Sequence, residues 1–415
     1  MPAGKPQAPR GTLDILPEEG ARRLALQRLA DEVLADYGPM ETPVFESTEL
    51  FERGVGETTD IVEKEMFTFD DQGGRSLSLR PEGTAGVCRA YLEHGMHKLA
   101  QPVKVRYWGP FFRYEAPQAG RYRQFTQVGI EAIGSDDPSL DAEVILRLAE
   151  LLERARVARP RLRISSLGTP ETRRAYSDEL RDYLRAREDQ LSDDVRARLD
   201  RNPLRAFDSD HPGTREAVAE APRLLDRLAP EDAEHFERVR ALLDAQGQEY
   251  EVDSTLVRGL DYYTRTVFEF SSDALGAQSQ LGGGGRYDGL IEQLGGPPTP
   301  GVGFAAGVER ILLAGELEAA PPAPRVYVAP EDGAAGFALT QRLRANGVPA
   351  AMEQAGRSMK GQLKQANRLG AEFVVMILTD GGMLLKNMET GEQRELESEQ
   401  ELLEAVRMAQ PPSPA

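Results

Sequence analysis

The period at which apolar residues recur changes several times along the chain, and each change predicts a different element. Residues 21–37, ARRLALQRLADEVLADY, set Leu24, Leu29, Val33 and Leu34 among charges at helical spacing, and Gly38-Pro39 stops the pattern. METPVFEST follows as an extended stretch, where Pro43 lacks an amide donor and so suits an edge or interface strand rather than a central one. Between 103 and 133 the period falls to two: VKVRYWGPFFRYE and RQFTQVGIEAIG read as antiparallel strands joined by a polar loop, APQAGRY, that carries Arg121. RLRISSL at 161–167 and TRTVFEFS at 264–271 read as further strands of the same sheet. Between these two, residues 170–250 turn to charged helical sequence with Pro-bearing loops such as RNPLRAFDSDHPG, which predicts a helical insertion into the sheet domain.

Residues 295–315, GGPPTPGVGFAAGVERILLAG, predict a Pro/Gly-rich entry and then an apolar helix ending at Gly315. ELEAAPPAPR has linker composition and sets a domain boundary near 316–324. Beyond it RVYVAP, a helix near 333–346, VPAAME, a helix near 359–369, EFVVMIL and GMLLKNM alternate strand and helix, as a small α/β domain would. The expected division is therefore 1–169 and 251–320 for the sheet domain, 170–250 for the insertion and 325–415 for the tail domain.

Composition narrows the class. A chain of 415 residues is too long for one ordinary core. Nothing in it approaches the run of roughly 18 apolar residues that a membrane helix needs, so no membrane association is expected. Residues 1–10 carry Lys5 and Arg10 with no apolar stretch after them, unlike a secretory signal, and a cytoplasmic location is expected. The single cysteine, Cys88, rules out an intrachain disulfide, and His94, His97, His211 and His235 lack ligand spacing, so no protein-held metal is expected. A formal charge of −18 argues against a polyanionic partner at face value, but local arrangement decides nucleic-acid binding.

Three arginines lie beside sequence that would orient them: Arg113 in FFRYE, Arg258 in RGLDYYTRTVFEF and Arg310 in GVGFAAGVER. A lone arginine is ordinarily a surface or ion-paired group. Several guanidinium forks around one cleft are instead what phosphoryl or nucleotidyl chemistry uses, because each fork matches phosphate oxygens. The glycine-rich LGGGGRYDGL, 281–290, is open to three readings: a phosphate cradle, a wall of a substrate pocket, or a turn. No G-x-x-x-x-G-K-[ST] pattern is present, which sets the cradle aside.

METPVFESTELFERGVGETTDIVEKEMFTF, LRPEGTAG, FRYEAPQAGRYRQFTQVGIEAIG, LVRGLDYYTRTVFEF, LGGGGRYDGL and GVGFAAGVERIL, in this order, resemble bacterial histidyl-tRNA synthetases, a branch of the class II aminoacyl-tRNA synthetases. The resemblance implies an α+β fold: a six-stranded antiparallel class II sheet flanked by helices, with the helical insertion and a C-terminal α/β anticodon-binding domain. It also implies an obligate homodimer with residues 41–50 at the interface, and L-histidine, ATP with Mg2+, and tRNA(His) as the reacting partners. Carried onto this chain, Arg113 would hold the α-phosphate opposite Arg258, the two forming the catalytic pair. Arg310 would hold the γ-phosphate, Arg121 would reach the outer phosphates and Phe125 would stack under adenine. For histidine, Glu82, Thr84 and Gln127 would meet the α-ammonium and Glu131 and Tyr263 the imidazole, with Tyr262 beside them and Gly83 also at the histidine site. Tyr287 and Asp288 would shape the pocket, the neighbouring glycines would bring strand backbone close to bound histidine, and Arg286 would tie that strand down.

In the tail, Arg357, Lys360, Lys364 and Arg368 are spaced by three, four and four, one face of an α-helix, and would contact tRNA phosphates. Tyr114, Ala116 and Thr126 depart from the family's usual residues, which bears on the shape of the loop and its contact with the tRNA acceptor end. The alternative is the non-catalytic, synthetase-like regulatory subunit of the phosphoribosyltransferase of histidine biosynthesis. Such relatives usually lack the anticodon domain and lose catalytic arginines, whereas Arg113, Arg258, Arg310 and the tail are all present here.

Overall fold

The computed structural model describes residues 5–56, 59–256, 259–276 and 279–408. They form two compact units, Met1–Ala319 and Ala320–Ala415.

The first unit is built on an eight-stranded sheet. In spatial order its strands are Gly38–Pro39, Val103–Phe112, Gln124–Ile133, Gly301–Gly307, Gln280–Arg286, Thr264–Ser271, Arg161–Ser166 and Glu251–Val252. The six inner strands are antiparallel, as the resemblance implies, and a two-residue parallel strand closes each edge. Alternation gives this sheet two unlike faces. Val128, Ile130, Ala132, Val302, Phe304, Ala306, Phe268 and Phe270 point to one side, into a core shared with helices Pro17–Val33, Pro138–Arg154, Pro230–Ala245 and Val308–Ala314. The intervening residues, Phe125, Gln127, Gly129 and Glu131 beside Gly303, Ala305 and Gly307, point to the other side.

Local sequence accounts for the covering helices. Pro138–Arg154 begins with Pro at its first turn behind Asp137, whose carboxylate accepts from the Ser139 amide, and it buries Leu140, Val144, Ile145, Leu148, Leu151 and Leu152 at three- and four-residue intervals. The first helix runs Pro17–Val33 and buries Leu26, Ala30 and Val33; Leu24, expected on that face, is 48% exposed. Pro43 lies in an irregular stretch rather than in a strand, between the Gly38–Pro39 edge and Phe45–Ser47, which joins Ser76–Leu79 and Thr68–Asp70 in a separate three-stranded sheet.

The apolar stretch from 295 to 315 departs furthest from expectation. Its first half is the central strand Gly301–Gly307, and only Val308–Ala314 is helical. The glycines decide this: a Cβ on Gly303 would land on the Glu131 carboxylate of the neighbouring strand, so only glycine lets the two strands and that carboxylate coexist.

Residues 170–250 hold helices Pro170–Arg185, Asp193–Arg198, Pro212–Ala219 and Pro230–Ala245, joined by short 3-10 turns. In the second unit, a five-stranded sheet has the order Ala350–Met352, Val326–Pro330, Phe373–Ile377, Met383–Asn387 and Gln393–Leu396, parallel across the first three and antiparallel thereafter. Helices Gly333–Ala345, Met359–Arg368 and Glu399–Met408 accompany it.

Arg286, at the end of the glycine strand, pairs in register with Val302 and so points into the helix side. It is fully buried, its Nε lies 3.1 Å from both carboxylate oxygens of Asp141, and Nη2 donates to the same carboxylate. Nη1 also reaches Ser135 O at 2.9 Å and Asp288 Oδ1 at 3.2 Å, and His235 Nε2 sits 3.3 Å from Asp141 Oδ1. Burial alone would raise the Asp141 pKa, but His235 and Arg286 outweigh it and hold the carboxyl below its ordinary value. Removing one partner strands the other charge in the core. Asp141→Ala is therefore expected to cost about 3–5 kcal/mol in denaturant unfolding of the full chain, and Asp141→Leu combined with Arg286→Met clearly less.

Candidate active site

On its second face the sheet carries a cleft of about 920 Å³, measured out to its solvent mouth. Glu82, Gly83, Thr84, Gln127, Tyr262, Tyr263 and Tyr287 line it together with Arg113, Arg121, Phe125 and Arg310. Helix Thr84–Glu93, the loop before Thr264–Ser271 and the inner strands thus bring together residues from five distant stretches of sequence.

Glu131 lies just behind this lining, 1% exposed. Thr84 Oγ1 donates to its Oε1 at 2.7 Å, Tyr107 OH reaches the same oxygen at 3.4 Å, and Tyr287 OH donates to Oε2 at 2.6 Å. Burial pushes its pKa up to about 8, assisted by the nearby Glu82 carboxylate, although the hydroxyl donors pull the other way. Glu82 plays two parts. Its two oxygens accept from the Thr84 and Ala85 amides at 2.7 and 2.9 Å, so it starts the helix as a capping carboxylate, yet it also faces the cleft. Tyr262 OH approaches it at 3.4 Å, and the Tyr262 ring packs 4.7 Å from Tyr263 and 5.9 Å from Tyr287. Gln127 Oε1 is buried with no hydrogen-bond partner among the described residues. An unmet acceptor in a cleft costs free energy unless a ligand donor arrives.

The other part of the cleft is cationic. Arg113 stands one residue past the end of its strand, with Nε on Pro81 O at 2.9 Å and its guanidinium 5.6 Å from the centre of the Phe125 ring. Arg121 pairs with Glu115 at 3.0 Å. Arg310 is fixed by Gly120 O at 3.3 Å and by Gln280 O, and its pKa is lowered by burial and then by the charge of Arg121. Two like charges held close in a partly desolvated cleft favour an incoming anion.

Some expected residues lie elsewhere. Asp288 turns from the cleft and accepts from Arg286 and from the Gly301 amide at 3.2 Å; it holds backbone and does not shape the pocket. Arg258 lies outside the described residues. Arg357 precedes helix Met359–Arg368 rather than extending its face, and it is ion-paired with Glu353 at 3.0 Å. Lys360, Lys364 and Arg368 do share the helix and are exposed, with no ion-pair partner among the described residues.

Tyr107, Glu115 and Glu309 were not anticipated. Glu309 accepts from the Thr126 amide at 2.9 Å and from Arg23 at 2.7 Å, and Arg23 also donates to Thr126 Oγ1 at 3.0 Å. Glu115 could have been found two residues beyond Arg113, on the same side of the chain. Tyr107 could not, because its approach to Glu131 follows from strand register.

Glu131 makes stability depend on pH. Its folded pKa lies above that of the unfolded chain, so its contribution is whole at acid pH and drains away from about pH 4.3 up to the folded value of about 8. Unfolding midpoints of the ligand-free protein taken across this range should fall with a slope that Glu131→Gln flattens; an unchanged slope in the variant would contradict the protonated, buried carboxyl.

Comparison with known proteins identifies the family. The family model for histidyl-tRNA synthetase matches residues 11–311. The histidine–tRNA ligase of Desulforamulus reducens is 48% identical over 401 residues, covering 94% of this chain and 96% of the relative. Among solved structures, the apo histidyl-tRNA synthetase of S. aureus superposes with a TM-score of 0.80 at 38% identity, over 97% of this chain and 99% of its own. A protein from Bacillus halodurans described as an ATP phosphoribosyltransferase regulatory subunit/histidyl-tRNA synthetase gives 0.65 at 23% identity, over 90% of this chain and 98% of its own, a likeness of fold alone. With a family model spanning most of its length and a full-length relative at nearly half identity, the chain belongs to the histidyl-tRNA synthetase family.

Proposed function

We propose that the two parts of this cleft divide the activation step of histidine–tRNA ligation between them. The chain uses ATP to join L-histidine to tRNA(His) through a histidyl-adenylate, the activity its family membership carries. One observation supports the residue assignment above all: unmet or buried acceptors and fixed arginines open into a single cleft. Gln127, Glu82 and Thr84 would take the α-ammonium, and Glu131, Tyr262, Tyr263 and Tyr287 the imidazole. A pocket whose buried polar groups are matched only by ring nitrogens rejects isosteres that lack them. Arg113 would hold the α-phosphate, Phe125 would lie against adenine, and Arg121 and Arg310 would hold the outer phosphates. When the histidine carboxylate attacks the α-phosphorus, negative charge builds there and cations already in place stabilise it. Arg258 is assigned to the same phosphate on the resemblance alone.

Magnesium would enter on the phosphates. The nearby carboxylates Glu115 and Glu309 are engaged by arginines and a backbone amide. The exposed Phe45 and Phe69, with ring centres 6.4 Å apart, lie on and beside the segment expected at a subunit interface and support a homodimer. No helix among the described residues is long and apolar enough to cross a membrane, and a cytoplasmic setting is part of the same proposal. The regulatory-subunit alternative is less favoured, because the ligase relative matches nearly full length on both sides.

Histidine-dependent exchange of labelled pyrophosphate into ATP tests the assignment. Exchange is expected with the full chain and magnesium, falling about 10²–10³-fold in kcat for Arg113→Ala or Arg258→Ala; folded protein without exchange would sink it. Lys360, Lys364 and Arg368 are proposed to touch tRNA phosphates, with Arg357 set one turn earlier and tethered to Glu353. Replacing the three by alanine should weaken tRNA(His) binding, lower the slope of log K against log salt by about three and leave pyrophosphate exchange intact. An unchanged salt slope would remove the stripe from the interface.

A further inference from the structure

Arg173 belongs to helix Pro170–Arg185, outside every motif of the sequence, yet both its terminal nitrogens enter the loop that carries the pocket tyrosines. Nη1 donates to Tyr263 O at 3.0 Å and Nη2 to Asp261 O at 3.0 Å. Both acceptors are backbone carbonyls. Burial lowers the Arg173 pKa, so the guanidinium gives up hydration to hold main chain. The planar fork spans two carbonyls at once and thereby fixes the direction of the backbone between them, which a single ammonium cannot do.

The helix that presents Arg173 is itself locked to the far end of the same loop. Asp232, fully buried on helix Pro230–Ala245, accepts from the Thr169 amide at 2.8 Å, at the N-terminal boundary of the Arg173 helix. It also accepts from Arg265 Nε at 2.9 Å. Arg265 follows Thr264 at the start of the next strand and has φ of +48°, a left-handed conformation that a non-glycine residue keeps only when its surroundings demand it. Its backbone is gripped on both sides: its amide donates to Gly168 O at 2.8 Å and its carbonyl accepts from the Leu167 amide at 2.7 Å. The circuit therefore runs from Arg265 through Asp232 and Thr169 to Arg173 and back to Asp261 and Tyr263. At its front the loop abuts Gly56, whose missing side chain makes room for the Asp261 carboxylate, and the Asp261 amide donates to Val55 O at 3.1 Å.

We propose that Arg173 is a positioning residue for histidine recognition: its fork on the Asp261 and Tyr263 carbonyls sets the placement of Tyr262 and Tyr263 in the pocket, and Asp232 sets the placement of Arg173. The proposal rests on the histidine-binding reading of the cleft. Exchange by the unaltered chain tests that reading, and the Arg173 variants test this one.

Full-length Arg173→Ala and Arg173→Lys are compared by pyrophosphate exchange with histidine and ATP varied separately. The expected result for Arg173→Ala is a histidine KM raised about tenfold to a hundredfold with the ATP KM unchanged, since small displacements of positioning groups cost that much. Arg173→Lys, which keeps the charge but reaches one carbonyl at a time, should give a smaller rise of the same kind. A structural role alone would reduce the number of active molecules, lowering kcat and leaving both KM values where they were, and that outcome overturns the proposal. Should Arg173→Ala fail to fold, the lysine variant decides: a raised histidine KM with normal ATP KM sustains the proposal, and an unchanged histidine KM refutes it.

Discussion

Everything in the catalytic half of this protein depends on a constraint of the β-strand: a residue can point to one side of a sheet or the other, not both. The helix side takes Val128, Ile130, Ala132, Ile164, Phe268, Phe270, Val302, Phe304 and Ala306 from the inner strands and seals them under four helices. The opposite side is then free to carry polar and small residues, and it is there that Phe125, Gln127 and Glu131 lie beside Gly303 and Ala305. The cleft opens on that face. The buried Arg286–Asp141 pair belongs to the same division, because the strand that lines the cleft with glycine must be held by its other side.

The two ends of the cleft follow opposite electrostatic strategies. At the Glu131 end, burial raises the pKa of an acid surrounded by hydroxyls, which favours a polar but neutral Glu131. At the arginine end, guanidiniums are kept near one another by backbone carbonyls and by Glu115. A neutral ring that must be read by its nitrogens suits the first environment, and a polyphosphate suits the second. Glu82 links the ends of this logic to the fold, since the amides that fix its carboxylate are those of a helix start that would need a partner in any case.

Much of this was legible in the residues. The period-two runs at 103–112, 124–133, 161–166 and 264–271 are strands, because alternation of large apolar and polar side chains has no other stable reading. Arg113, Arg121, Arg310, Glu82, Gln127 and the three tyrosines do converge on one cleft, with Glu131 bonded to Thr84 and Tyr287 behind its lining. Glycine-rich strands were less legible: GVGFAAG lacks the β-branched signal, and its strand character comes from neighbours that tolerate no Cβ. Arg357 looked like part of a helical stripe because spacing cannot reveal that the helix starts two residues later or that Glu353 turns toward it.

The sequence by itself determined which segments are amphipathic, with what period, and which residue types are available for phosphate and imidazole, since those properties reside in single side chains and their spacing. Only the tertiary structure decided partners. Strand register sets Tyr107 against Glu131, packing of helix Pro138–Arg154 gives Arg286 its carboxylate and turns Asp288 away from the pocket, and a helix remote from every motif lends Arg173 to the tyrosine loop. These are contacts between residues up to 145 positions apart. No local pattern encodes such contacts, because they exist only once separate cores have fixed the geometry of the elements that carry them.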